Sequence, residues 1–285
     1  MLSFGGGGMK GFAYAGALDE LRKQYAIDYG ARCPVLKVAY GCSIGAILAL
    51  ALSVGYTTPE LIDMVHAIKL EDIFAFDPVR FLSSIGDTHV SALGMDDGKK
   101  LREFLTNLVT KKMAVLTLRE LFEKTGTDLR VHATNISSAT PITFTKTSHP
   151  TMSVIDAVYA SAALPPFFPP LEYEGTLYAD GGITKHVEEK CITFSIESAP
   201  LTVKDDLNQW PWPFASYLDR VLRMILPEYE RADVRIQSGT SAVIKFGDMT
   251  DMKRALLQAG REAIGARDHM RSLFLEQEAR GGEGS

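Results

Sequence analysis

Leu36-Lys37-Val38-Ala39-Tyr40-Gly41-Cys42-Ser43-Ile44-Gly45-Ala46-Ile47-Leu48-Ala49-Leu50-Ala51-Leu52 is the stretch on which the fold turns. Residues 36–40 read as a short strand, Gly41 breaks it, and residues 44–52 form a helix apolar nearly all round, which suits a buried position. The junction carries Gly41-Cys42-Ser43-Ile44-Gly45, a G-x-S-x-G between a strand and a helix. A nucleophile on such a turn is held in a strained conformation, and Gly41 and Gly45 flank it because side chains there would clash. Ser43 is then exposed while its neighbours are buried. The helix N-terminus supplies orphan N–H groups and a positive dipole end, which favour the anion formed in acyl transfer. Cys42 holds the variable position of the turn, points away from the reacting atom and is expected to be buried.

Outward from this junction the same alternation recurs. Strands are expected at 2–4, 129–135, 142–146, 176–178, 191–196 and 242–246. Phe12, Ala15, Ala17, Leu18 and Leu21 fall at near-helical spacing, and further helices are expected at 59–68, 97–109, 118–124, 154–162, 215–225 and 250–266. Strand followed by helix, repeated, predicts an α/β protein: a three-layer α/β/α sandwich around a mostly parallel central sheet. With 285 residues, 46% apolar and 23% charged, the composition is globular, and we read a single catalytic domain over 1–275 with a flexible tail at 276–285. The net charge of −5 disfavours whole-surface binding of nucleic acid, which needs the opposite balance. Three scattered cysteines, Cys33, Cys42 and Cys191, make no disulfide framework and fit a reducing compartment. The N-terminus has neither basic residues nor an apolar run of the secretory kind, and the longest apolar stretch, 46–54, is about half of the ~20 residues that span a bilayer. A cytoplasmic protein is expected, with peripheral membrane contact left open.

Two more segments can carry chemistry. Gly5-Gly6-Gly7-Gly8-Met9-Lys10-Gly11 follows one strand and opens a helix, and successive glycine N–H groups can converge on one negative atom. A dinucleotide loop would want an acidic residue at the end of the next strand, where this chain has the Ser43 turn, and a P-loop would want Ser or Thr where Gly11 stands. An oxyanion hole of the Gly6, Gly7 and Gly8 amides, with Lys10 adding positive potential, explains both glycine clusters with one reaction. Asp180-Gly181-Gly182 ends a strand with a carboxylate and two turn-forming glycines. Taken alone it makes an Asx-turn readily.

Together these segments resemble the patatin-like phospholipase family. The glycine-rich G-G-G-x-K-G at 6–11, the G-x-S-x-G at 41–45 and the D-G-G at 180–182 come in the family's order. Ala160-Ser161-Ala162-Ala163-Leu164-Pro165-Pro166-Phe167 is similar to its A-S-x-A-x-P-x-x-F block, and 255–263 to its closing helix. The likeness runs from about 2 to 265 and is weakest over 195–240. It implies a Ser–Asp dyad, in which Ser43 attacks an acyl ester, Asp180 takes its proton and Gly6, Gly7 and Gly8 cradle the oxyanion. Gly41, Gly45, Gly181, Gly182 and Lys10 support them. The implied substrates are phospholipids, lysophospholipids or other glycerolipids. An Asp near its ordinary pKa of ~3.9 is a weak base, so burial that raises it would help.

Other assignments remain open on the residues alone. A Ser–His–Asp triad would draw on His66, His89, His132, His149, His186 or His269, of which His186 and His269 follow Asp180 in the order of α/β-hydrolases. No zinc-ligand spacing occurs and Asp96-Asp97-Gly98 lacks the alternating ligands of a calcium loop, so no metal or other cofactor is expected. Trp210-Pro211-Trp212-Pro213-Phe214, followed by Leu218, Val221, Leu222 and Ile225 with Arg220 and Arg223, reads either as a membrane-docking segment or as a helix packed on the core. Phe167-Phe168 suits either the core or an acyl channel. The alternative from another class is a non-catalytic lipid- or nucleotide-binding module that retains the Gly-rich loop.

Overall fold

The computed structural model describes residues 1–26, 28–29, 36–75, 77, 79–80, 90, 93–184, 191–198, 232–239 and 248–265. In chain order they form β1 (Leu2–Phe4), α1 (Phe12–Tyr25), β2 (Val38–Cys42), α2 (Ile44–Ser53), α3 (Thr58–Ala67), α4 (Lys99–Thr110), α5 (Leu118–Thr125), β3 (Asp128–Asn135), β4 (Thr140–Phe144), α6 (Val154–Ala162), β5 (Leu171–Tyr173), β6 (Thr176–Asp180), β7 (Ile192–Glu197), β8 (Val234–Gln237) and α7 (Thr250–Gly265). The strands make one mixed sheet. Five run parallel in the order β3-β2-β1-β7-β8, while β4 and β6 pair antiparallel with β3, and β5 antiparallel with β6.

Both central strands are buried along their whole length. Side chains alternate between faces, so Leu2, Phe4 and Ala39 join the main core with the buried sides of the helices, whereas Val38 and Tyr40 form a second cluster with Cys191 on the other face. A mostly parallel sheet with flanking helices is the α/β class expected. No helix among the described residues is long and apolar enough to cross a membrane.

The strand leading to Ser43 is Val38–Cys42 rather than 36–40. Gly41 does not break it, because parallel partners on both sides, Phe4 and Val131, pair with its backbone. The strands expected at 142–146 and 176–178 are β4 and β6, but strand–helix alternation did not reveal β5 or the antiparallel pairing of these three. β5 is three residues long and joins β6 through Glu174-Gly175, both at positive φ (50° and 72°), the type I′ conformation that matches strand twist. Pro141 sits in β4, whose only strand partner among the described residues is β3, so a missing N–H costs no ladder bond on the far side. The expected strand at 242–246 and helix at 215–225, the Trp210–Phe214 segment and the expected tail lie outside the described residues.

One register positions the site. Cys42 is the last residue of β2 on β3, opposite His132, and Asp180 is the last of β6, opposite Ala133. β4 runs beside β3 across Val131–Asn135, past both of these partners, and so takes the other edge. β2 and β6 therefore occupy the same edge of β3 one after the other, heading toward each other, and their C-terminal ends meet between His132 and Ala133.

Candidate active site

Ser43 follows β2 directly and stands at the N-cap of α2 with φ 55° and ψ −123°. A non-glycine residue there is strained, and the surroundings must hold it. They do so from both sides. Its N–H donates to Ser161 Oγ at 2.9 Å, and the Ser161 hydroxyl donates in turn to the His132 carbonyl at 2.5 Å, so a wholly buried serine of α6 ties the turn to the end of β3. On the other side α2 lies so close to β1 that a Cβ on Gly45 would sit 2.2 Å from the Phe4 carbonyl oxygen.

The Ser43 hydroxyl donates to Asp180 Oδ2 at 2.7 Å. Asp180 is 2% exposed, and its other oxygen accepts the Gly182 N–H at 2.7 Å. Thr134 Oγ1 donates to the Asp180 carbonyl at 2.9 Å and the Asp180 N–H to the Ala163 carbonyl at 3.0 Å, which fixes the backbone beneath the carboxylate. Burial pushes the Asp180 carboxyl up to about 6, against the opposing pull of the hydrogen bonds from Ser43 and Gly182. Gly181 allows this turn to press against β3, since a Cβ there would meet the His132 carbonyl oxygen at 2.5 Å.

Of the Gly-rich loop, Gly6 lies against Ser43, with 3.6 Å between the site of a Cβ and the serine Cβ; Gly7 faces Ile196, and Gly8 lines the same cavity as Ser43 and Asp180. Tyr14, from α1, donates its buried hydroxyl to the Gly5 carbonyl at 3.0 Å and anchors the loop. Lys10 is buried with its ammonium on Ser198 Oγ, just beyond β7, so its charge is directed to that strand's end. Cys42 is wholly buried. Among the described residues no histidine bonds to Ser43 or Asp180: the His132 ring stacks on Tyr40 at 6.3 Å, His149 meets Phe144 edge-on at 4.8 Å, and His66 is in the last turn of α3. His89, His186 and His269 lie outside the described residues. Ser161 is the site residue that spacing alone did not single out. Its signal was the small-residue run around it, which reads as packing.

Ser43 and Asp180 open onto a cavity of about 170 Å³. α2, α3 and α4 contribute Ile47, Leu48, Met64, Leu101 and Phe104, and Phe74, Phe167 and Phe168 add an aromatic wall. Ser43 and Asp180 are its only polar side chains among the described residues. A hydroxyl bonded to a carboxylate of raised pKa, at one place in an otherwise apolar cavity, is suited to attack on a carbonyl attached to an apolar chain.

Known proteins resemble this chain in sequence and in fold. Over 183 residues, 64% of this chain and 59% of the relative, the sequence is 28% identical to a probable lipid hydrolase, 463L, of Invertebrate iridescent virus 6. It is 28% identical over 198 residues, 64% of this chain and 51% of the relative, to a cGAMP-activated phospholipase of Escherichia coli. The chain thus spans somewhat over half the length of the curated relatives it matches. The fold is similar to that of VipD from Legionella pneumophila, with a TM-score of 0.54 at 17% identity, covering 93% of this chain and 66% of that one. Residues 2–187 match the family model described as patatin-like phospholipase, well over half of the sequence, and the chain belongs to the patatin-like phospholipase family.

Proposed function

We propose that the chain is a serine acyl hydrolase acting on fatty-acyl esters of phospholipids, lysophospholipids or other glycerolipids, with residues 1–275 as one catalytic unit. The observation that carries this reading is the Ser43–Asp180 hydrogen bond of 2.7 Å between the only two polar side chains that line the apolar cavity among the described residues. Ser43 Oγ attacks the ester carbonyl as Asp180 takes its proton. The tetrahedral oxyanion rests on amides of the 6–8 loop, with Gly6 beside Ser43 and Gly8 in the cavity wall. Collapse breaks the bond to the glycerol oxygen, which leaves with the proton from Asp180, and the acyl group stays on Ser43. Water, deprotonated by the same carboxylate, then releases the fatty acid. A carboxyl near 6 is mostly ionised at neutral pH, yet is a stronger base than an ordinary aspartate.

A fluorophosphonate probe tests the assignment directly. Ser43 is expected to be labelled, with no labelling of Ser43→Ala, and a panel of defined phospholipids and lysophospholipids is expected to release fatty acid. A folded protein whose Ser43 stays unmarked and which releases no fatty acid would overturn the hydrolase in favour of a lipid-binding module.

A further inference from the structure

The aromatic wall of the cavity is assembled from two segments far apart in the chain, and one buried carboxylate outside the Ser43–Asp180 pair joins them. Phe74 ends the turn after α3, while Phe167 and Phe168 follow α6; Phe74 meets the two edge-on at 6.2 and 5.4 Å. Between them runs the 94–98 turn. Its Met95 N–H donates to the Pro166 carbonyl and its Asp96 N–H to the Phe167 carbonyl, both at 2.9 Å. The Asp96 carboxylate then reaches the other way, accepting the Ala75 N–H on Oδ2 and the Gly98 N–H on Oδ1, the latter at 2.6 Å. Asp96 is wholly buried, and among the described residues no cation is one of its hydrogen-bond or ion-pair partners. Burying a carboxylate with no cation bonded to it is costly, and burial indeed pushes its carboxyl up against the pull of the two amides and of the more distant Lys100 charge. Closing the turn at Gly98 needs only one oxygen. The second oxygen is used on the backbone immediately after Phe74.

We propose that Asp96 is a specificity-determining residue: by clamping the Phe74 segment to the Phe167–Phe168 turn it fixes one wall of the cavity, and with it the length of acyl chain that fits. It is a positioning residue, which touches neither the reacting pair nor the chain it measures. The inference rests on the acyl-hydrolase reading only for what fills the cavity.

Asp96→Asn keeps the shape but presents one accepting oxygen where two N–H groups need one, so the wall is released on one side. Octanoate, laurate and palmitate are bound to the full chain by displacement of a fluorescent fatty acid, and their p-nitrophenyl esters are assayed for kcat/KM. A buried methylene is worth about fourfold in affinity, so a wall receding by two methylenes raises the palmitate-to-octanoate ratio on the order of tenfold in both assays. Asp97→Asn, on the neighbouring, partly exposed carboxylate that pairs with Lys99, is expected to leave the ratio as it was. A folded Asp96→Asn protein with the wild-type ratio overturns the proposal. If wild type cleaves no ester while the binding ratio still shifts, the hydrolase reading fails and the role of Asp96 stands. Should Asp96→Asn not fold, deuterium exchange on the unmodified protein decides: the Ala75 and Gly98 amides are expected to slow together when palmitate binds, and unlinked exchange, unchanged by palmitate, overturns the clamp.

Discussion

The sheet has two halves that deliver the two key side chains by different physics. The parallel half brings Ser43 at the end of β2, where a central strand runs straight into a buried helix and there is no spare room: a Cβ on Gly41 would lie 2.4 Å from the Gly45 carbonyl oxygen. The antiparallel half brings Asp180 at the end of a short hairpin strand, held by side-chain and backbone hydrogen bonds from Thr134 and to Ala163. Both turns are tightly packed and hydrogen-bonded, at Gly45 and Ser161 for the nucleophile and at Gly181 and Thr134 for the base, but only the base is a buried charge. Added volume should therefore be costly at Gly45 and at Gly181 alike, whereas a change of charge matters at the base alone.

The largest expected effect falls on both halves together. Ser43→Ala and Asp180→Asn should each lower kcat by about 10⁴-fold or more, measured as fatty-acid release. Their stabilities should diverge. The Asp180 carboxyl is raised in the folded state, so the native protein binds more protons than the unfolded chain between its ordinary pKa and about 6, and ionising it costs stability as pH rises through that window. Asp180→Asn removes the cost and should unfold at a higher temperature than wild type at pH 7, while Ser43→Ala should not. A lower midpoint for Asp180→Asn would contradict the account of the base.

Next, volume at the nucleophile's turn: Gly45→Ala must displace a backbone oxygen 2.2 Å away and should cost about 3 kcal/mol or more in denaturant unfolding. The same methyl at Gly182, where the nearest atom is the tip of the Asp180 side chain at 3.0 Å, should cost clearly less. Equal costs would contradict the close approach of α2 to β1 at Gly45. Ser161→Ala, which leaves the Ser43 N–H without its partner, should lower kcat about tenfold with KM little changed, and Ser161→Thr should recover part of the loss. A similar loss should appear on acidification. As Asp180 takes up a proton, kcat/KM should fall about tenfold per pH unit below 6, and this acid limb should be absent from any residual activity of Asp180→Asn. The smallest effect belongs to the hairpin. Glu174 holds φ 50°, and Glu174→Asn, better suited to that conformation, should add about 0.5 kcal/mol without touching activity.

The parallel half was the more legible in the sequence, and the reason is physical. Apolar runs bounded by glycine report burial and local period, and a strand entering a helix through G-x-S-x-G leaves little freedom in how it folds. Hydrophobic pattern does not say which strands pair or in which direction, so β4, β5 and β6 came out as anonymous strands or not at all. The β5–β6 turn uses Glu174-Gly175, lacking the Asn-Gly or Asp-Gly signature that marks a hairpin. Asp180 looked like an ordinary Asx-turn, which it also is, since its side chain accepts the Gly182 N–H. Only resemblance to a family linked it with a serine 137 positions away. Ser161 and Asp96 were not legible as site residues, because a buried side chain that serves a distant backbone amide leaves no mark on local spacing.

Because the ends of β2 and β6 abut on one neighbour, β3 acts as a ruler for the reaction. The gap between hydroxyl and carboxylate is counted in backbone steps of about 3.3 Å, and one inserted residue in the ruler would open it past the reach of a proton. Substitutions that repave the greasy tunnel leave that count untouched. Chemistry and taste are therefore separately heritable here: selection can retune what is cut, one side chain at a time, without putting the cutting edge at risk.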